Sequence, residues 1–297
     1  MAVRLTAALL ALVAGVSAVA LAALLLHDTP GPVSSAPAVP AAAAPPASPR
    51  PSFPAPPAGA VVFSREDGPN ALALAVTRSS VQVSVVGRQG AGVSGLSVTV
   101  NGMAAASCGP GCYRASVEHA RDVTARVGPT SWRVMVPPDA RDASALVARA
   151  AHAWRSLHTL VFSDRLGSDA THVVVSEWRA VAPNRLAYVI TDGYQAVIVG
   201  GKRWDRAPHG RWVESAQTAP VTQPVPVWQA ATDAHVVAET PTTTEITFFD
   251  PRTPAWFAIT IDKRTSHTLD LRMITTAHFM HERYRSFDAP LSITPPK

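Results

Sequence analysis

Hydrophobic and polar residues alternate along much of the chain after residue 60, and this alternation is typical of half-buried β-strands. It is clear in SVQVSVV (80–86) and GLSVTVNG (95–102), and breaks that contain glycine or asparagine separate successive segments. Short alternating segments continue as far as Pro137-Pro138. Their number and spacing predict an immunoglobulin-like β-sandwich over residues 61–137.

The spacing of apolar residues changes after Pro137-Pro138. Apolar residues then recur at three- and four-residue steps, which predicts a helix with one buried face and Asp139 as its N-cap. Alternating segments resume with THVVVSEW and end with TLDLRMITTAHFM, and a second short helix is predicted at WQAATDA. A helix followed by an antiparallel sheet predicts an α+β domain over residues 138–297, so the folded part should be mainly β. The residues of the predicted helix face are Leu146, Val147, Ala150, Trp154, Leu157 and Val161.

The N-terminus carries a long apolar run. Arg4 precedes uncharged residues from Leu5 to Leu26, which as a helix would cover roughly 33 Å, enough to span a bilayer. We therefore expect residues 1–28 to form a signal anchor, with the bulk of the chain on the extracytoplasmic side of the cell membrane. Cleavage near Ser35-Ala36-Pro37-Ala38 is the alternative. Residues 29–60 are rich in proline and alanine and predict an extended linker.

Composition excludes some functions and favours others. The net charge is +5, but the arginines are scattered singly, so we expect no nucleic-acid partner. The two cysteines, Cys108 and Cys112, flank Gly-Pro-Gly, which in an oxidising compartment predicts a disulfide and leaves a thiolate metal site as the alternative. Common catalytic motifs such as Gly-x-Ser-x-Gly and His-Glu-x-x-His do not occur, so we expect no enzymatic activity.

The segment TTAHFMHERYR contains several side chains that bind metals. If Leu269 to Phe279 is one straight strand, Phe279 points inward and His278 and His281 lie on opposite faces. An imidazole beside the Met280 thioether would suit copper(I). A structural sheet face is the favoured interpretation, and a bulge that brings the two histidines together would favour copper. The candidate ligands under that alternative are His278, Met280, His281 and Glu282.

Two stretches resemble known families. From about Ala140 to the end, APNRLAYVITDG, GGKRWDR…GRW and DPRTPAWFAITID resemble the LolA/LppX-like fold of envelope lipoprotein carriers. That resemblance implies a curved antiparallel half-barrel around a helix, with an apolar cavity for acyl chains. The segment SVVGRQGAGVSGLSVTVNG with CGPGCYRA resembles the FixH/YtkA-like domains that accompany copper-transport membrane proteins of the CopC/CopD type. It implies such a protein as a partner rather than copper chemistry within residues 61–136.

These observations predict a non-enzymatic, membrane-tethered protein whose half-barrel binds a hydrophobic, lipid-like ligand and needs no cofactor. The alternative is an accessory protein of bacterial copper transport that binds copper through histidine and methionine. Large aromatic side chains suit cavity walls, although they would equally fill a core. The candidate cavity residues are Trp154, Trp178, Trp204, Trp212, Trp256 and Phe257.

Overall fold

The computed structural model describes residues 53–169, 171–216 and 222–297. The predicted anchor, its alternative cleavage site and most of the linker lie outside these residues. Within the described part of the chain, no helix is both long and apolar enough to cross a membrane. The strands outnumber the helices here, and the mainly β fold is confirmed.

The first strands form two sheets that share one core. One sheet has the order β1-β2-β3-β7-β6 and the other β5-β4-β8-β9. Leu72, Leu74 and Val83 of the first sheet pack with Val98 and Val123 of the second. The strands are β1 (Val61–Asp67), β2 (Asn70–Val76), β3 (Ser80–Val86), β4 (Val98–Val100), β5 (Met103–Ala104), β6 (Ala106–Gly109), β7 (Cys112–Ser116), β8 (Asp122–Val127) and β9 (Thr130–Met135). Both sheets together are called the sandwich below.

Cys108 and Cys112 lie at the turn between β6 and β7 and are joined as a disulfide, with their Cα atoms 5.0 Å apart. Gly111 has φ +65°, a left-handed conformation that glycine adopts without steric cost, and this allows the tight turn between the two cysteines.

Helix α1 spans Ser144–Ser156 and buries Val147, Ala150, Ala151 and Trp154. The prediction that Asp139 caps it is wrong, because the helix begins only after Ala143. The Ala143 N–H donates instead to the Ala234 carbonyl at 2.8 Å, and Asp142 forms an isolated antiparallel bridge with His235 just before the helix. A tertiary contact therefore sets the start of the helix.

Eleven described strands form a third, larger sheet, which is antiparallel throughout and open at β15 and β16. Its order is β15-β14-β13-β12-β11-β10-β20-β19-β18-β17-β16. The strands are β10 (Thr159–Gly167), β11 (Val173–Val181), β12 (Arg185–Ile190), β13 (Gln195–Val199), β14 (Lys202–Arg206), β15 (Val213–Ala216), β16 (Thr232–Glu239), β17 (Thr243–Asp250), β18 (Ala255–Asp262), β19 (Thr268–Thr275) and β20 (His278–Arg285).

The helix predicted at WQAATDA is absent from these described residues, where β16 starts at Thr232. The Gln229 N–H donates to Asp250 at 2.7 Å and Thr232 pairs with Phe249, so the segment follows β17 instead of coiling on itself. Pairing with a neighbouring strand has overridden the local helical preference.

The strand predicted from Leu269 to Phe279 is two strands. A turn at Thr276-Ala277 separates β19 from β20, and Ala277 has φ 52°. The turn changes which side chains share a face, because Met273 pairs with Met280 and Ile274 with Phe279. The expectation that Phe279 points inward beside Met273 is therefore wrong.

The two faces of the large sheet pack against different partners. The inner face, defined as the side that carries Tyr284, contacts α1 through the Trp154 ring. The outer face packs against the sandwich, where Phe249, Trp256, Ile274 and Phe279 form a buried cluster. The sandwich side of this cluster is built from small and branched residues: Ala60, Val62, Ala71, Ala73, Ala75 and Val86.

Candidate functional site

A row of aromatic rings crosses the inner face. Tyr284, Phe162, Trp178 and Tyr188 occupy neighbouring cross-strand positions on β20, β10, β11 and β12. Successive ring centroids are 5.5, 5.8 and 4.3 Å apart. Trp154 of α1 meets Tyr284 edge to face at 4.8 Å. The alternation of each strand places one aromatic residue per strand on this face, and pairing lines them up.

The row ends at a buried ion pair on β14. Arg203 is 7% exposed and donates to Asp205 and to the Tyr188 hydroxyl, the latter at 2.8 Å. The Tyr194 hydroxyl donates to Asp205 at 2.6 Å. Burial, the largest single influence, lowers the pKa of Arg203 and raises that of Asp205. The hydrogen bonds and charges within the pair and from the neighbouring tyrosines and Ser215 together outweigh burial, so the pKa of Arg203 is raised and that of Asp205 is lowered. This charge pair is fully compensated.

Two carboxyl groups lie near the other end of the row. Asp164 of β10 and Glu282 of β20 are direct cross-strand neighbours, 8% and 4% exposed. Tyr284 donates its hydroxyl proton to Glu282 Oε2, whereas Asp164 Oδ1 is buried without a hydrogen-bond partner among the described residues. These two side chains are called the carboxyl pair below.

The carboxyl pair titrates far from the usual range of acids. Burial raises the pKa of Asp164 to about 7. Burial, followed by the charge of Asp164, raises the pKa of Glu282 to about 8. The cause is that water cannot solvate a carboxylate here, and no cation among the described residues contributes to either shift. The pair therefore holds at least one proton at neutral pH.

The surroundings of the carboxyl pair are mostly apolar. Leu271 is the cross-strand neighbour of Glu282 on β19, and Met273 and Met280 lie two positions farther along the same face. The nearest polar neighbour in register is Ser176, whose hydroxyl accepts a hydrogen bond from Trp178 Nε1 at 2.7 Å. A ligand on this face would meet aromatic and thioether groups with two protonatable oxygens among them.

The predicted cavity residues fall into three groups. Trp154, Trp178 and Phe257 are buried on the inner-face side, where Phe257 stacks on Phe248 at 5.1 Å. Trp256 lies on the outer face against the sandwich. Trp204 and Trp212 are half-buried and belong to neither aromatic cluster; Arg206 stacks over the Trp212 ring at 4.8 Å.

The predicted metal-binding residues are divided between the two faces. His278, Met280 and Glu282 alternate along the inner face of β20, and His281 points outward, where it bonds Asp270 at 2.7 Å. Burial lowers the pKa of His278, so its imidazole is neutral. The described residues contain no group of three or more His, Cys, Asp or Glu side chains placed to hold a metal ion. Copper binding stays a prediction.

Asp164 was missed in the sequence, although its signal is present. In TLVFSDRLG, Asp164 shares the phase of Leu160, Phe162 and Leu166, so a carboxylate occupies a position whose pattern is that of a core residue. A charge in the buried phase of a strand is the feature that could have identified it.

Comparisons with known proteins give little information about the family or function of this chain. No family model matches the chain. No curated protein matches it either. Solved structures similar to it include the crystal structure of a LolA superfamily protein from Nitrosomonas europaea, at 6% identity and a TM-score of 0.24, covering 52% of this chain and 96% of that one. Such a TM-score is too low to support an inference about ligand or mechanism.

Proposed function

We propose that the inner face of the large sheet binds a hydrophobic, lipid-like ligand, and that the chain is a membrane-tethered extracytoplasmic binding protein rather than an enzyme. The resemblance seen in the sequence implies the same class of ligand. The aromatic row is buried, at 2–5% exposure, and combines apolar rings with the hydroxyl groups of Tyr188 and Tyr284, the chemistry expected of a site that encloses such a ligand.

The carboxyl pair is the observation that carries this proposal. Two buried acids without a cation cost folding free energy, whereas two leucines at Asp164 and Glu282 would fill the same positions without that cost. Groups with strongly shifted pKa values concentrate at functional sites. A polar end of the ligand that donates a hydrogen bond to Asp164 Oδ1 would satisfy the one acceptor that the described residues leave unpaired.

The test is ligand binding to the full chain. Organic extracts of the purified protein are analysed by mass spectrometry, and affinity is then measured with a fluorescent fatty acid such as cis-parinaric acid. We expect Trp178→Ala, which removes a ring from the aromatic row, to weaken binding at least tenfold. Trp204→Ala removes a half-buried ring outside the row and serves as the matched control, with an expected change below twofold. Equal losses in both variants, or no binding by the unaltered protein, would refute the proposal.

The membrane tether is tested separately by cell fractionation. We expect the protein in the membrane fraction with an intact N-terminus, because the apolar run from Leu5 to Leu26 is long enough to span the bilayer. A mature protein that begins between about residues 30 and 45 and is found in the soluble fraction would show that the segment is a cleaved signal.

A further inference from the structure

A cleft of about 480 Å³ lies between the sandwich and the outer face of the large sheet. Its volume is within the range of small-molecule sites, which often form where two domains meet. Phe63, Arg65 and Trp132 line its sandwich side, and Thr247 and Arg272 line its sheet side. The aromatic row and the carboxyl pair lie on the opposite side of the sheet and do not line this cleft, although Met280 of β20 borders it.

Two buried polar atoms in the lining of this cleft have no hydrogen-bond partner among the described residues. They are the hydroxyl oxygen of Thr247, a residue that is 4% exposed, and Oε2 of Glu66. Native proteins pair nearly all such atoms with protein, water or ligand. An anion inside the cleft would accept a hydrogen bond from the Thr247 hydroxyl, whereas the Glu66 carboxylate is itself an acceptor and has Arg165 as its neighbouring cation at 3.6 Å.

Basic side chains lie side by side along the sheet side of the cleft. Arg272, His281 and Arg165 are cross-strand neighbours on β19, β20 and β10. The two arginines therefore add positive charge on either side of His281. Glu66 approaches Arg165 at 3.6 Å, and Asp270 accepts a bond from His281 at 2.7 Å.

Two guanidinium groups lack a carboxylate of their own. Arg272 reaches only Asp270, at 3.9 Å, and Asp270 already contacts His281 and Arg283. Arg65, on the facing side, forms no ion pair within the described residues and lies over the Trp132 ring at 6.0 Å. Glu245 also lines the cleft, so the two acidic residues in its lining are outnumbered by its three arginines.

We propose that this cleft binds a small organic anion, a carboxylate or phosphate with a short apolar group. Arg65 and Arg272 would hold the charged end from opposite sides, and the Thr247 hydroxyl would donate to it. The apolar group would lie against Trp132 and Ile274, which line the same cleft. An arginine that stacks on an aromatic ring while it binds an anion is a common recognition arrangement.

The experiment is calorimetric titration of the full chain with hexyl phosphate, hexanoate, inorganic phosphate and hexyltrimethylammonium. We expect hexyl phosphate, hexanoate or both to bind at least tenfold more tightly than inorganic phosphate, with no binding of the ammonium compound. Arg65→Ala and Arg272→Ala should each weaken binding at least tenfold, and Arg272→Lys should weaken it less than Arg272→Ala. Thermal unfolding checks that each variant is folded.

The matched control is Arg283→Ala, since Arg283 also contacts Asp270 but does not line the cleft. We expect a change below twofold in this variant and in Trp178→Ala of the inner face. Loss of anion binding in Trp178→Ala would place the anion on the inner face and overturn the inference. Tighter binding of the ammonium compound, equal affinity for inorganic phosphate, an equal effect of Arg283→Ala, or no binding of either organic anion would also overturn it.

Discussion

Asp164 and Asp205 both lie on the inner face, yet their surroundings shift their pKa values in opposite directions. Asp205 accepts hydrogen bonds from Arg203 and Tyr194, which lower its pKa below the usual value in spite of burial. Asp164 has no such donors among the described residues, and burial raises its pKa. The surroundings of Asp205 stabilise its charged carboxylate, whereas those of Asp164 favour its neutral, protonated carboxyl group.

The carboxyl pair should make the stability of the protein depend on pH. Both folded-state pKa values are raised, to about 7 and about 8, so the folded protein holds more protons than the unfolded chain between about pH 4 and 8. The stabilisation is full below the unfolded pKa values and is lost as pH rises through the folded ones. We expect the free energy of unfolding to fall by several kcal/mol over this range, because each unit of pKa shift is worth about 1.4 kcal/mol.

The measurement is urea unfolding from pH 4 to 9. In Asp164→Asn/Glu282→Gln, which cannot ionise at these positions, the pH dependence should be much weaker. A double variant with an unchanged pH profile would contradict the assignment of the shifted groups.

Removing the guanidinium of Arg203 should destabilise the fold strongly. Arg203→Ala leaves the partly buried Asp205 without its cation, a change that costs about 3–5 kcal/mol when a buried pair is broken. Arg283→Ala is the exposed comparison, because Arg283 is 72% exposed and its loss should cost less than about 1 kcal/mol. Equal midpoints of urea unfolding for the two variants would contradict this prediction.

The alternation of side chains along the strands allowed part of the inner-face site to be predicted from the sequence. It placed Glu282 on the same face as His278 and Met280, and the structure agrees. The partner of Glu282 could not be found in this way, because the register between β10 and β20 joins segments that are far apart in the chain. Pairing between distant strands depends on the whole sheet and leaves no local mark in either segment.

At the scale of single elements, the turn at Thr276-Ala277 shows why an alternating pattern can predict one strand where the chain forms two. The segment contains neither glycine nor proline and continues the apolar pattern, so it reads as one strand. Ala277 nevertheless has φ 52°, and the chain reverses there. The reversal puts Phe279 beside Ile274 on the outer face instead of beside Met273.

The position of Phe279 predicts a large effect of truncation. Phe279 is 2% exposed and belongs to the cluster between the sheet and the sandwich. Phe279→Ala should lower the free energy of unfolding by about 3–5 kcal/mol, because a cavity is left in a packed interface. Met135→Ala is the comparison, since Met135 is 63% exposed and should change stability by less than about 0.5 kcal/mol. A loss below 1 kcal/mol in Phe279→Ala would show that the interface repacks or is weakly formed.

At the scale of the whole molecule, β2 links sequence to architecture. NALALAV alternates leucine with alanine. From the sequence, this pattern predicts a strand that buries its leucine face and exposes its alanine face. In the structure Leu72 and Leu74 fill the sandwich core, and Ala71, Ala73 and Ala75 face the large sheet. Small side chains let two sheets approach closely, so the alanine face is an interface that hydrophobicity alone did not reveal.

This interface predicts that the sandwich and the large sheet unfold together. The cluster between them buries aromatic residues from one sheet and alanines from the other, so either part alone would expose that surface. We expect one calorimetric transition in which the van't Hoff and calorimetric enthalpies agree. Ala73→Arg places a charge at a position that is 2% exposed in this cluster, and it should separate the unfolding into two transitions. Ala104→Arg, on the exposed strand β5, should leave a single transition. If the unaltered chain already unfolds in two steps at the temperatures seen for Ala73→Arg, the two parts are independent, and the cluster around Trp256 contributes no coupling between them.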